Sequence, residues 1–308
     1  MTATTSVAAT DHPPACWNPD IGHRLRAVKR LHELTRGAAT PGRLTPPQYV
    51  VLLAASRLPS VDQRTIGELA SIDRATVSAV VQRLIARGLL RATSDPLDGR
   101  RKRLSATDEA LAMVRNDSVH LREADTRLLE RLAPEDRETV IEHLSRIAYS
   151  RTVDPSTRAA GERGAHDIFS IAETARALGR LVRICSQLHT AIWRDQAGAF
   201  ITPVQYTTLD AIIADEPANQ NELTTRIDLN KGTVTEIVAR LRRDGFVETA
   251  QHSDDRRQQV ISVTPTGRDI LRLAHHAERA VREQLFQPIG ENAGRAVDRL
   301  LAQILRSE

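Results

Sequence analysis

Two short stretches of this 308-residue chain carry an acid and a base at one spacing. They are Asp98-x-Arg100 in DGRRKRLSAT (98–107) and Asp255-x-Arg257, with Arg256 between them, in DRRQQVISVT (255–264). A carboxylate two residues ahead of a guanidinium in a tight turn can hold it through a charge-assisted fork. The cation is then aimed outward at low entropic cost, toward phosphates or a narrow, electronegative groove. A plain exposed ion pair is the bland alternative and is worth about 0–1 kcal/mol. Against it stands the run Arg100, Arg101, Lys102, Arg103, which only repels itself unless a polyanion is near. Phosphate binding is the chemistry that this run suits.

Other chemistry finds less support. The chain has no G-x-S-x-G, no phosphate-binding Gly-rich loop, no H-E-x-x-H and no G-x-G-x-x-G after a strand, so catalysis is not expected. His275 and His276 are adjacent on a helical pattern and diverge, which argues against one metal site. No cofactor is expected. Cys16 and Cys185 stand in no paired spacing and read as ordinary reduced thiols. Hydrophobic residues make up 41%, yet no apolar run approaches bilayer length and the polar start MTATTSVAATDHPP lacks a signal-peptide core. The expectation is a cytoplasmic protein with no membrane partner. The formal charge is only +4 and Lys occurs only at Lys29, Lys102 and Lys231, so clustering rather than net charge carries the electrostatic reading.

The elements that must position these groups are written twice. One offset of 157 residues pairs Thr45 with Thr202, Gln48 with Gln205, Tyr49 with Tyr206, Gly88 with Gly245, Arg100 with Arg257 and Thr107 with Thr264. It also pairs Gly22 with Gly179 and His32 with His189. A unit this long supplies its own core, so it reads as a duplicated domain rather than a solenoid repeat. The boundaries expected are a flexible tail over 1–19, a first domain over 20–150, a linker over 151–167 and a second domain over 168–308.

Each copy opens on an amphipathic stripe, Ile21, Leu25, Val28 and Leu31 or Leu181, Ile184, Leu188 and Ile192. TPPQYVVLLAAS and TPVQYTTLDAII follow, each a Thr cap ahead of a first-turn proline. Short helices at TIGELAS and QNELTTRI precede longer ones that start on Asp73 and Asn230 and stop at Gly88 and Gly245. Two extended pieces around a polar turn then predict a β-hairpin, followed by two more helices. The fold class is mainly α with small β-hairpin wings: two winged helix-turn-helix domains joined by a helical interface.

With TPPQY, DRATVS, QRLIARGLL and the D-x-R wing followed by LSAT, both copies resemble the MarR transcription regulators. The resemblance implies double-stranded DNA as partner, a recognition helix in the major groove and a wing on the neighbouring backbone. The residues expected at DNA are Arg74, Thr76, Ser78 and Gln82 with the wing's Asp98, Arg100, Arg101, Lys102 and Arg103. In the second copy they are Lys231, Thr233 and Thr235 with Asp255, Arg256 and Arg257. Helix capping is the rival role for the hydroxyls, and solvation the rival role for Gln82. The copies are unequal: Gln258, Gln259 and Val260 replace Arg101, Lys102 and Arg103, and Glu236 faces the position of Ala79. Phosphate binding is expected to be weaker in the second.

Family members are homodimers on two-fold sites, so one chain with both halves is expected to be a monomeric pseudo-dimer on an imperfect palindrome, acting as a repressor. A homodimer of two-domain chains remains the rival. The resemblance also implies a small-molecule effector at the junction of the dimer helices with the DNA-binding domain; Tyr49 and Tyr206 could line such a pocket, though core tyrosines fit the pattern better. The alternative function is a degenerate regulator that binds protein and little or no DNA.

Overall fold

One element order runs twice along the chain. The first repeat comprises α1 (Ile21–Arg36), α2 (Pro46–Arg57), β1 (Val61–Asp62), α3 (Gln63–Ala70), α4 (Arg74–Ala86), β2 (Leu90–Ser94), β3 (Lys102–Ala106), α5 (Asp108–Leu129) and α6 (Pro134–Tyr149). The second comprises α7 (Leu178–Ala197), α8 (Pro203–Ile213), β4 (Ala218–Asn219), α9 (Gln220–Arg226), α10 (Lys231–Arg243), β5 (Val247–Gln251), β6 (Gln259–Val263), α11 (Pro265–Phe286) and α12 (Glu291–Leu305). The computed structural model describes residues 17–37, 44–58, 60–70, 72, 74–95, 102–150, 177–198, 200–251 and 259–306. Asp73, the linker over 151–167 and the wing-tip residues Asp98, Arg100, Arg101, Asp255, Arg256 and Arg257 lie outside them.

Local chemistry sets the element ends. Thr45 and Thr202 each close a capping box with Gln48 or Gln205, and the amide-to-carboxamide bonds are 2.9 and 3.0 Å. Gly88 and Gly245 end α4 and α10 with φ of 72° and 76°, a conformation that costs glycine nothing. Thr107 and Thr264 then tie three elements together. Each hydroxyl donates to the glycine carbonyl, at 3.1 or 2.6 Å, and accepts from the first turn of the next helix, at Ala110 N or Gly267 N. The wing is thereby pinned at its base.

The wings are three-stranded rather than the two-stranded hairpins read from sequence. The strand order is β1-β3-β2 and β4-β6-β5, all antiparallel, with Val61 opposite Leu104 and Ala218 opposite Ile261. A two-residue strand has no alternation to read, so its existence depends on the partner strand. Behind the first wing lies a core of Leu52, Ile66, Leu84, Leu89 and Leu104.

The compact units cut across the repeats. One joins the chain up to His23 to His189–Gln284; the other joins Arg24–Leu188 to Leu285–Glu308, and the cuts fall within α1 and α7. In the second of these, α12 packs on α6 and brings Val297, Leu301 and Ile304 into the interior. Arg24 reaches Asp298 at 2.5 Å, Arg131 donates to the Ile304 carbonyl at 2.7 Å and Arg146 to the Pro288 carbonyl at 2.8 Å. A Cβ on Gly179 would lie 2.3 Å from the buried His32 ring, and one on Gly22, in the other unit, 2.2 Å from His189. The paired glycines and histidines of the repeat are therefore one contact made twice, each between a residue of one copy and a residue of the other.

Gly179→Ala should lower unfolding stability by about 1–3 kcal/mol through overpacking, read by urea denaturation followed by helical circular dichroism. Parental stability in that variant would mean that His32 turns aside freely.

Candidate nucleic-acid interface and a cationic cavity

Along α4, Arg74 and Gln82 are exposed while Thr76 and Ser78 are half-buried. α10 repeats the pattern, with Lys231 and Thr235 exposed and Thr233 half-buried. The capping role expected as the rival holds for Thr233: its amide and hydroxyl both point to Asn230 Oδ1, at 2.9 and 3.1 Å. Thr235 donates to the Lys231 carbonyl at 2.8 Å and accepts from Gln220 at 2.7 Å. Glu236 pairs with Arg240 one turn on, so part of that helix's cationic charge is neutralised within it.

In the first wing, Lys102 is exposed and Arg103 is held inward. Arg103 Nε lies 2.7 Å from Asp95, which is 5% exposed, and its Nη1 lies 3.1 Å from the Ser60 carbonyl. Arg103 thus fastens β3 to the end of β2 and to the start of β1, near the turn of the wing. Val260 holds the matching place in the second wing, so that fastening is absent there. Arg91, which sequence reading passed over, is exposed on β2 opposite Ser105. A lone Arg in an extended run gives no sequence signal until the strand's outer face is known.

A cavity of about 160 Å³ opens between α1, α2, α5 and the start of α7. Six cations line it, Lys29, Arg36, Arg57, Arg122, Arg180 and Arg183, against two carboxylates, Glu33 and Asp125. Of the two acids, Asp125 has other work. Asp125 Oδ1 accepts from Gly179 N and lies 2.9 Å from His32 Nε2. Arg36 is tied to Asp117 at 2.5 Å with both side chains almost fully enclosed. Arg183 is pushed down to about 10 by burial and then by the neighbouring Arg180 cation. An anion between them would relieve both effects. The apolar wall is Pro46, Val50, Leu53 and Leu121, with Tyr49 fixed by a 2.9 Å bond to Ser118. Burial raises the Tyr49 phenol above its usual range and keeps it neutral. Tyr49 is at once core and pocket wall.

These cations escaped the sequence reading because each looks like a solvated residue on an amphipathic helix. Only the meeting of α1 and α5 with α7 makes them neighbours. Cys185 is buried against the Leu144 carbonyl and its thiol is pushed up by burial, the environment of an inert thiol. Among the described residues no three His, Cys, Asp or Glu gather as a metal site, and no helix is long and apolar enough to cross a membrane.

Comparison with known proteins decides the family. The MarR family pattern matches residues 44–101 and again 201–258. The transcriptional regulator HosA of Escherichia coli O111:H- is 34% identical over 121 residues, 38% of this chain and 85% of that protein. The transcriptional repressor NicR of Pseudomonas putida is 28% identical over 132 residues, 42% of this chain and 84% of that protein. Among solved structures, the PcaV regulator of Streptomyces coelicolor with its natural ligand is 36% identical, covering 44% of this chain and 90% of that one at a TM-score of 0.36. The chain belongs to the MarR family.

As a MarR-family regulator with two winged-helix segments, it builds its two copies differently around the second tyrosine. Tyr206 lies tilted against Trp193, ring centroids 5.0 Å apart, and meets the His275 ring edge-on at 5.5 Å. His275 Nε2 lies 3.2 Å from Asp210 Oδ1. That bond, outweighing burial and helped by the Asp210 and Glu278 charges, raises His275 above the ordinary histidine value of 6.5. With a raised folded value, the stabilisation is complete below about pH 6.5 and fades as pH climbs through the folded pKa. Urea midpoints of parent and His275→Gln chains should therefore differ most near pH 6 and converge by about pH 9. A gap that widens with pH would reverse this assignment.

Proposed function

We propose that a single chain acts as a two-headed repressor, its α4 and α10 entering two half-sites of an imperfect palindrome as an intramolecular pseudo-dimer. The observation that carries this reading is the packing of helices from both copies within one compact unit: α12 of the second copy on α6 of the first, fastened by Arg24 with Asp298 and by Arg131 with the Ile304 carbonyl. The dimer helices expected between two chains thus have their partners within one. A tethered second head binds at an effective concentration set by the linker rather than by protein concentration. The repeats supply domains over 20–150 and 168–308 with a joining segment over 151–167.

The first head carries more of the phosphate binding. Its wing has Arg100, Arg101 and Lys102, where the second has Arg257, Gln258 and Gln259, and Glu236 offsets Arg240 on α10. Arg100→Ala should weaken operator binding more than Arg257→Ala and flatten the log K against log salt slope by about 0.9. Operator selected from a random pool, with the mass of the complex measured alongside, supplies the DNA for that titration. Equal losses in the two variants, two chains per site, or affinity indifferent to salt would each contradict the reading, the last in favour of a protein-binding role.

The cationic cavity is the effector site in this reading, and an aromatic carboxylate is the class it suits: an apolar wall of Val50, Leu53 and Tyr49 for a ring, Arg180 and Arg183 for the carboxylate. A cavity of about 150 Å³ accepts a benzene-sized molecule. Benzoate should bind the parent chain and bind Arg183→Gln on the order of tenfold more weakly, about 1.4 kcal/mol by calorimetry. A parent that takes up no benzoate, or an unchanged affinity in the variant, would rule the site out.

A further inference from the structure

The first-copy cavity has a sequence counterpart in the second copy, and the charge balance there is different. At the offset of 157 residues, Arg36, Arg57 and Arg180 correspond to Trp193, Ala214 and His23. Leu53 and Ala177, which line the first cavity, correspond to Asp210 and Asp20. Lys29 corresponds to Ser186 and Leu121 to Glu278, while Arg122 and Arg183 keep cationic counterparts in Arg279 and Arg26 and Asp125 becomes Arg282, so the second place has lost the excess of cations that suits the first to an anion. It is also filled. Trp17 Nε1 donates to Asp210 Oδ2 at 2.9 Å, and its indole meets the His23 ring edge-on with centroids 5.3 Å apart. Asp20 Oδ2 accepts from Thr207, the counterpart of Val50, at 2.7 Å, and Asp20 Oδ1 accepts from His23 N at 2.9 Å. Asp210, His23 and Thr207, which Trp17 and Asp20 touch here, match the wall residues Leu53, Arg180 and Val50 of the first cavity.

We infer that Trp17 is a built-in occupant of the second copy's counterpart site, held by its indole N–H on Asp210, so that each chain offers one open effector site instead of two. An aromatic body with one polar handle has the shape of the ligand class proposed for the first cavity, but its handle is a donor, and a carboxylate, Asp210 at the position of Leu53, receives it. As a tethered group, Trp17 competes at an effective concentration on the order of millimolar, which a weakly bound free metabolite does not exceed. The inference rests on the effector reading of the first cavity for its consequence, one ligand per chain, and not for the occupancy itself.

The occupancy is tested with 3-methylindole, the free counterpart of the missing side chain. A Trp17→Ala chain should bind one more molecule of it than the parent, and the emission of Trp193, which lies in the same aromatic cluster, should change as it binds. Equal stoichiometry in the two chains overturns the inference. In the otherwise unaltered chain carrying Trp193→Phe, Trp17 is the sole tryptophan. Acrylamide should quench it several-fold less than in the same chain unfolded in urea, and less again than in the Asp210→Ala version. Quenching equal to that of the unfolded chain overturns the inference even if Trp17→Ala fails to fold. A parent chain that binds no benzoate while passing both tests would sink the effector reading and leave the occupancy standing; two benzoates per parent chain would sink the one-site inference.

Discussion

Two glycine-histidine contacts constrain everything else in this molecule. Gly22 against His189 and Gly179 against His32 leave no room for a Cβ, and each joins the start of one copy's first helix to the end of the other's. Helices that approach this closely exclude water from the polar groups around them. The His32 to Asp125 contact lies in that region, and the enclosed Arg36 and Asp117 charges, so far removed from water, are tolerated only because they are paired. The wall of the cationic cavity is built from the same groups. Packing at one small residue therefore sets both the union of the repeats and the electrostatics of the site proposed to regulate them.

Duplication in one chain frees the copies to diverge, which a symmetric dimer of identical chains cannot do. The divergence here is coherent. The first copy keeps Lys102 exposed on a wing fastened by Asp95 and Arg103, and lines its cavity with guanidiniums. The second has traded wing cations for Gln258 and Gln259, pairs Glu236 with Arg240 on its recognition helix, and places an aromatic and carboxylate cluster where the cavity cations would be. In the proposed function these changes divide labour: the first head supplies phosphate affinity and ligand response, the second supplies register on the site.

Several features depend on contacts that no local pattern encodes. Thr233 was a candidate for DNA and for a cap with equal claim, and its amide and hydroxyl both meet Asn230, the N-cap residue of α10. Arg103 belonged to a cationic run, and its Nε meets the buried Asp95 at the end of β2. Tyr49 is a core residue by burial and a cavity wall by position. In each case the sequence presents a residue type with two uses, and even where the neighbour is only three or eight residues away, as for Thr233 and Arg103, the folded backbone decides which way the side chain turns.

From sequence alone came the duplication, the N-caps at Thr45 and Thr202, the glycine stops at Gly88 and Gly245, the wing hairpins and the repeated threonines Thr107 and Thr264 ahead of the next helix. All of these are legible because they rest on interactions within a few residues or on a constant offset. Tertiary structure alone decided the short third strands, the crossing of helices between repeats, the cationic cavity and the seat of Trp17 on Asp210. Those depend on groups 43 to 193 positions apart, such as Arg103 with Ser60 and Trp17 with Asp210, and periodicity carries no record of which surfaces will meet.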